Sequence, residues 1–368
     1  VSIAGRLAPV VAALPESRPF VGPEELARRA GLDSLVRLGA NESAFGPPPK
    51  ALDAMRAALS HTSWYGDPES VELREALAAR HGCGAANVTV AAGIDDLLGL
   101  AVRAYLGAGD VTVMTLGSYP TYVYHAIGYG GRLETVPYLA DGTVQLGRLA
   151  ERAHETSARI VYLANPDNPS GSFAARDALR AFLGALPADV VVILDEAYAD
   201  FVPPRDLVSD AEAFADARVI RMRTFSKAFG MAGARIAYAL AAPEVGVAFG
   251  KIRLQYGVPR TAQIGALAAL TEREFVDGVV AEVARGRDEY RALAERLGLA
   301  TLPSQANFVC FDLGSRERAE AMVEALLQRG IFVRKPGAPP LDGHIRVTVG
   351  TERERMLFAD AFERALAE

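Results

Sequence analysis

The chain holds only four lysines, Lys50, Lys227, Lys251 and Lys335. Of these, Lys227 alone sits between hydroxyls and glycines, in the stretch Arg223–Arg235 (RTFSKAFGMAGAR), just past a buried strand predicted over Val219–Met222. A lysine in a desolvated pocket loses affinity for its proton and becomes an amine nucleophile. The flanking Thr224 and Ser226, with Arg235 further on, are donors of the kind that hold phosphate oxygens. An amine beside a phosphate site suggests pyridoxal phosphate, held as a Schiff base. The bland alternative is a surface lysine in a polar loop.

Further candidates fall after other predicted strands, where open α/β sheets bind ligands. Gly93-Ile94-Asp95-Asp96 lies between a strand and a helix, where free amides suit phosphate; simple capping by an aspartate fits the same pattern. The turn Asn165–Gly171 (NPDNPSG) presents Asn168 or is a rigid turn alone. Asp195 ends the most apolar strand, where a carboxylate needs a cation or donors. A protonated pyridine nitrogen is such a partner, with Tyr198 in reach of the ring hydroxyl; a structural ion pair is the other possibility. The neighbouring Glu196 should point away and receives no catalytic role. Taken singly, Tyr65 and Tyr122 read as packing or interface residues and Arg334 and Arg346 as surface cations, although guanidinium forks suit carboxylate or phosphate groups.

The elements that position these residues follow from the pattern. From Val88 onward, apolar β-rich runs alternate with helices, which predicts a mostly parallel sheet covered by helices on both faces. A long helical region over 261–297 and a shorter α+β segment follow, with strands at Phe308–Phe311, Phe332–Arg334 and Ile345–Val349. The expected division is an N-terminal arm over 1–40 joining the small domain, a large cofactor domain over 41–255 and a small α+β domain over 256–368. With 368 residues, half of them hydrophobic, and a net charge of −6 without a basic tract, the chain reads as a globular enzyme with no nucleic-acid partner. Cys83 and Cys310 define no disulfide framework or metal quartet, and the five histidines lack zinc-ligand spacing. No run spans a bilayer and no convincing leader is read, so a cytoplasmic location is expected. The P-loop, the dinucleotide fingerprint and the GxSxG elbow are all missing.

Taken in order, Asn41-Glu42, Tyr65-Gly-Asp, Pro120-Thr-Tyr122, NPDNPSG, Asp195-Glu-Ala-Tyr198, SKAFG and the late arginines resemble the fold-type-I pyridoxal-phosphate aminotransferases. They look most similar to the histidinol-phosphate aminotransferase group. The resemblance spans the chain from about Leu38 onward and implies an aspartate-aminotransferase-like fold. It implies that Lys227 carries the cofactor, that Asp195 pairs with the pyridine nitrogen, and that Asn168 and Tyr198 hold the ring oxygen. It implies that Tyr122 stacks on the ring, and that Thr224, Ser226, Arg235 and the Gly93–Asp95 turn hold the phosphate. Tyr65 is implied to come from the neighbouring subunit of a homodimer, while Arg346, Arg334 and Asn41 serve the substrate. Ile94 stands where the family has a small residue, so its side chain is expected to crowd the phosphate cup.

The expected reaction is amino transfer between histidinol phosphate, or a similar small-molecule donor, and a keto acid such as 2-oxoglutarate, with Lys227 moving the Cα proton. The alternatives are an aromatic amino acid aminotransferase and a threonine-phosphate decarboxylase-like enzyme. From another class comes a cofactor-binding regulatory module, which would need a DNA-binding segment that is not read in the sequence.

Overall fold

The computed structural model describes residues 3–14 and 21–367. In chain order the strands are β1 (Val36–Arg37), β2 (Val88–Ala91), β3 (Val111–Thr115), β4 (Arg132–Val136), β5 (Ile160–Ala164) and β6 (Val191–Asp195). They continue with β7 (Val219–Thr224), β8 (Ala237–Leu240), β9 (Phe308–Asp312), β10 (Ile331–Phe332) and β11 (His344–Thr348). Seven build the central sheet in the order β2-β8-β7-β6-β5-β3-β4. The pairings from β7 to β4 are parallel, while β8 runs antiparallel to both β7 and β2.

The sheet is buried on both faces, as its apolar strands require. In β5, Ile160, Tyr162 and Ala164 face the layer that contains helix Ile94–Tyr105. Val161 and Leu163 face the layer of helices Leu146–Glu155 and Arg176–Ala185. This period-2 alternation commits most of the strand bodies to packing and leaves the strand ends as the main places for chemistry.

A smaller α+β part packs β9 against β11, antiparallel, under helices Arg273–Arg296, Arg316–Gln328 and Glu352–Ala367. Its centre is aromatic: Phe311 meets Tyr290, Phe358 and Phe362 with ring centroids 5.8, 5.6 and 5.3 Å away.

Three details depart from the sequence expectation. The long helical region divides into Arg260–Ala269 and Arg273–Arg296, and the first piece rests on helix Pro49–Ala58. The strand expected over 332–334 is β10, which pairs with β1 rather than β11; Arg334 and Arg346 meet through an isolated antiparallel bridge. The arm is shared: helix Pro9–Ala12 lies against helix Pro120–Gly128 of the large layer, whereas helix Pro23–Ala30 and β1 join the small part.

A buried charge cluster supports the sheet behind the candidate site. Glu196 accepts from Arg221 Nε at 2.9 Å and Nη2 at 3.0 Å, and from Arg223 Nε at 3.0 Å. Glu196 is thus turned away from the cleft, as expected. Arg221 also pairs with Asp210, so removing Glu196 chiefly strands Arg223 without its hydrogen-bonded counter-charge, a loss that typically costs about 3–5 kcal/mol. Glu196→Ala should therefore lower the thermal unfolding midpoint by several degrees; an unchanged midpoint would show that the cluster adds nothing to stability.

Candidate active site

The carboxyl ends of the parallel strands open into a cleft of about 750 Å³ between the large sheet and the small part. Lys227 lies two turn residues beyond the end of β7 and is partly buried. Its Nζ donates to the Asn41 carbonyl at 3.0 Å and stands 5.6 Å from the centre of the Tyr198 ring. Burial, reinforced by the Arg346 guanidinium, lowers the ammonium pKa to about 8.

Asp195 is the last residue of β6 and is buried. Its Oδ1 accepts from the Ala197 amide at 3.0 Å and its Oδ2 from the Tyr162 hydroxyl at 2.9 Å. Burial pushes the carboxyl up to about 6 against the pull of those donors. Tyr198 is buried, and its hydroxyl accepts from Asn41 Nδ2 at 2.8 Å. Desolvation raises that phenol to about 12.

An anion-type cup lines the same cleft. Gly93, with φ 97°, precedes helix Ile94–Tyr105 and brings no side chain to its first-turn amides. A Cβ on Gly93 would fall 2.3 Å from Arg235 Nη2, so the guanidinium occupies the space that glycine leaves. Arg235 itself has φ 53°, a conformation uncommon for a non-glycine residue and here located at the cleft. Its Nη2 lies 3.7 Å from Asp95 Oδ2. Thr224 Oγ1 bonds to Ser226 Oγ at 2.9 Å and accepts from the Ser226 amide at 3.0 Å, which folds the turn onto the cup. Ile94 forms part of the cleft wall, but its side chain is buried with Leu97 and Leu98 in the sheet-facing core, so the expected crowding is relieved by packing.

The opposite wall carries the arginines. Arg346 donates through Nη1 to Asn168 Oδ1 and through Nη2 to the Gly39 carbonyl at 2.9 Å, and its Nε is buried without a partner. Burial lowers its pKa. Arg334 donates through Nη2 to the Val21 carbonyl at 3.1 Å and also lines the cleft. Asn41, expected at the substrate, reaches the cleft but spends its carboxamide elsewhere: Nδ2 holds Tyr198, and Oδ1 accepts from Thr348 Oγ1 at 3.2 Å.

One aromatic assignment changes. Tyr122, expected on the cofactor ring, is fully buried, stacked on Tyr162 at 4.5 Å and bonded to Thr112 Oγ1. As the third residue of helix Pro120–Gly128, Tyr122 turns with Ala126 toward the sheet. Tyr119 precedes the helix in a non-helical conformation and lines the cleft instead, its hydroxyl donating to Asp95 Oδ1 at 2.7 Å. Tyr65 is 74% exposed and stacks on Tyr256 at 4.5 Å, and it is not among the residues lining the cleft of this chain.

Sequence reasoning missed Tyr119 and Tyr162. The signal for Tyr162 was a hydroxyl inside an otherwise apolar strand, which must find a partner when buried. Among the described residues no group of three or more His, Cys, Asp or Glu side chains is placed to hold a metal ion, and no helix is long and apolar enough to cross a membrane.

Comparison with known proteins agrees with this arrangement of cleft and sheet. The family model described as aminotransferase class I and II matches residues 33–362. Histidinol-phosphate aminotransferase 1 of Dechloromonas aromatica (strain RCB) is 36% identical, over 99% of this chain and 100% of that one. The crystal structure of histidinol-phosphate aminotransferase from Sinorhizobium meliloti in complex with pyridoxal-5'-phosphate superposes with a TM-score of 0.95 at 42% identity, over 98% of both chains. A Thermus thermophilus aspartate aminotransferase single mutant superposes with a TM-score of 0.81 at 26% identity, over 98% of this chain and 99% of that one. With the match running through sheet, cleft and small part alike, the chain belongs to the class I and II aminotransferases.

Proposed function

We propose that the chain is a pyridoxal-phosphate-dependent transaminase that passes the amino group of histidinol phosphate to a keto acid, 2-oxoglutarate, and works as a cytoplasmic homodimer. The observation that carries this reading is a neutralisable amine, Lys227, a buried carboxylate, Asp195, and an anion cup that all line one cleft. The substrate rests on the similarity to histidinol-phosphate aminotransferases and on the guanidinium wall opposite the cup.

Pyridoxal phosphate fits this donor set: Gly93 leaves room for Arg235 beside the helix start, and Lys227 and Asp195 line the same cleft, while the unpartnered Arg346 Nε calls for a substrate acceptor. When bound, the cofactor supplies an aldehyde for an amine and a pyridinium ring that takes up the electron pair left by a departing Cα proton. Lys227 Nζ would take that proton from the substrate Cα and deliver it to the cofactor's aldehyde carbon, moving it the opposite way when the keto acid accepts the amino group. Asp195 holds a proton at the ring nitrogen through charge pairing in a low-dielectric site. Tyr198 and Asn168 would hold the ring oxygen, and Tyr119, which lines the cleft, would take the place expected of Tyr122. Thr224, Ser226, Arg235 and the first-turn amides after Gly93 hold the phosphate. Arg346 and Arg334 grip the acidic group of donor and acceptor in turn, a task that suits their bidentate forks. Tyr65 projects from the surface beside Tyr256 and the exposed Trp64, which supports its reaching the cup of a neighbouring copy.

The lowered Lys227 pKa has a consequence with a definite sign. Below its pKa the amine is protonated and cannot attack, so capture of pyridoxal phosphate by the apoprotein should accelerate about tenfold per pH unit and level off above about 8. A lysine at its ordinary value would keep accelerating to about 10.5, and stopped-flow absorbance distinguishes the two. Gly93→Ala pushes a methyl group against Arg235 and should weaken cofactor affinity by about tenfold, the loss of one charge-assisted hydrogen bond. Equilibrium titration of the apoprotein measures it. For the substrate, amino transfer to 2-oxoglutarate should be efficient from histidinol phosphate and poor from phenylalanine. The reverse order would replace the proposal with an aromatic amino acid aminotransferase.

A further inference from the structure

We propose that Tyr162 is a positioning residue for the ring-nitrogen carboxylate: its hydroxyl fixes which edge of Asp195 faces the cleft and keeps that carboxylate charged. The inference rests on the cofactor reading above. Asp195 receives one donor on each oxygen, the Ala197 amide on Oδ1 and the Tyr162 hydroxyl on Oδ2. Together these two bonds set the carboxylate plane and still leave each oxygen a lone pair for a third donor from the cleft. No cation hydrogen-bonds to Asp195 among the described residues; Lys227 is instead bonded to the Asn41 carbonyl. In the ligand-free site the carboxylate therefore depends on neutral donors.

Tyr162 is built to be a stationary donor. It lies on β5, adjacent to β6, with Ala164 of β5 opposite Asp195 in the register. Its ring is stacked on that of Tyr122 at 4.5 Å and 12° between planes, and both residues are fully buried. The Tyr122 hydroxyl is engaged by Thr112 Oγ1, which also bonds to the Ile160 carbonyl at 3.2 Å. The stack thus ties two strands and helix Pro120–Gly128 to one phenol, while Tyr162 still contributes to the cleft wall. Burial and the facing Asp195 hold that phenol far above the ordinary tyrosine range, so it remains a donor throughout the working pH range. The ionisable groups that face the Tyr162–Asp195 pair are Asp95, Asp167, Tyr119 and Lys227.

The test compares Tyr162→Phe with Tyr122→Phe, which removes a hydroxyl from the same buried stack without touching Asp195. Affinity of the apoproteins for pyridoxal phosphate is measured across pH, with thermal midpoints recorded alongside. Removing the Tyr162 donor raises the Asp195 pKa, so the acid limb of affinity moves to higher pH, and affinity at neutral pH falls by about tenfold or more. Tyr122→Phe should leave the acid limb in place even if it lowers the thermal midpoint as much. The inference is overturned if Tyr162→Phe binds like the parent at every pH, or if Tyr122→Phe reproduces its shift. Failure of the parent protein itself to bind pyridoxal phosphate would overturn the cofactor reading instead.

Discussion

An amine and a carboxylate share this cleft without neutralising each other, and most of the surrounding structure follows from that separation. Lys227 is bonded to a backbone carbonyl, and Asp195 to a phenol and an amide. Were the two to form a direct pair, the amine would be held as a cation and the carboxylate would be unavailable to a third partner. Desolvation drives both toward neutrality, the amine to about 8 and the carboxyl to about 6. The cleft thus stores two groups poised for a ligand that brings an aldehyde to one and a basic nitrogen to the other.

Asn41 is the joint between the large sheet and the small part. Its carbonyl accepts from Lys227 and from Asn307 Nδ2 at 3.1 Å, its amide donates to Thr348 Oγ1 at 3.1 Å, and its side chain holds Tyr198. Thr348 ends β11, the strand that also carries Arg346. Lys227, Tyr198 and, through Thr348, the strand that carries Arg346 are therefore referenced to one residue. Asn41 takes the left-handed conformation, φ 55°, and so presents carbonyl and carboxamide to different partners.

Much of this was legible in the sequence because parallel sheets put chemistry at strand ends. Asp195, Thr224 and the residues after them were found by locating apolar strands and reading what came next. The α/β class followed from the same alternation. What escaped was side-chain direction at helix starts and the identity of buried partners. Tyr119 and Tyr122 are three residues apart, and only the position of Pro120 at the first helical turn decides which faces the cleft. Tyr162 looked like one more strand residue: its hydroxyl signals that a partner is needed but does not say that the partner is Asp195 on the neighbouring strand. The use of Asn41 as a joint was equally hidden, because its partners lie 157 to 307 positions away.

The central claim is that one particular amine is the reactive group of the cleft, and the chain's four lysines make it easy to test. Incubation with pyridoxal phosphate, reduction with borohydride and peptide mass spectrometry locate the modified residue. A single stoichiometric pyridoxyl label on Lys227 is the predicted result. Labelling spread over Lys50, Lys251 and Lys335, or a protein that takes no label at Lys227, would contradict it.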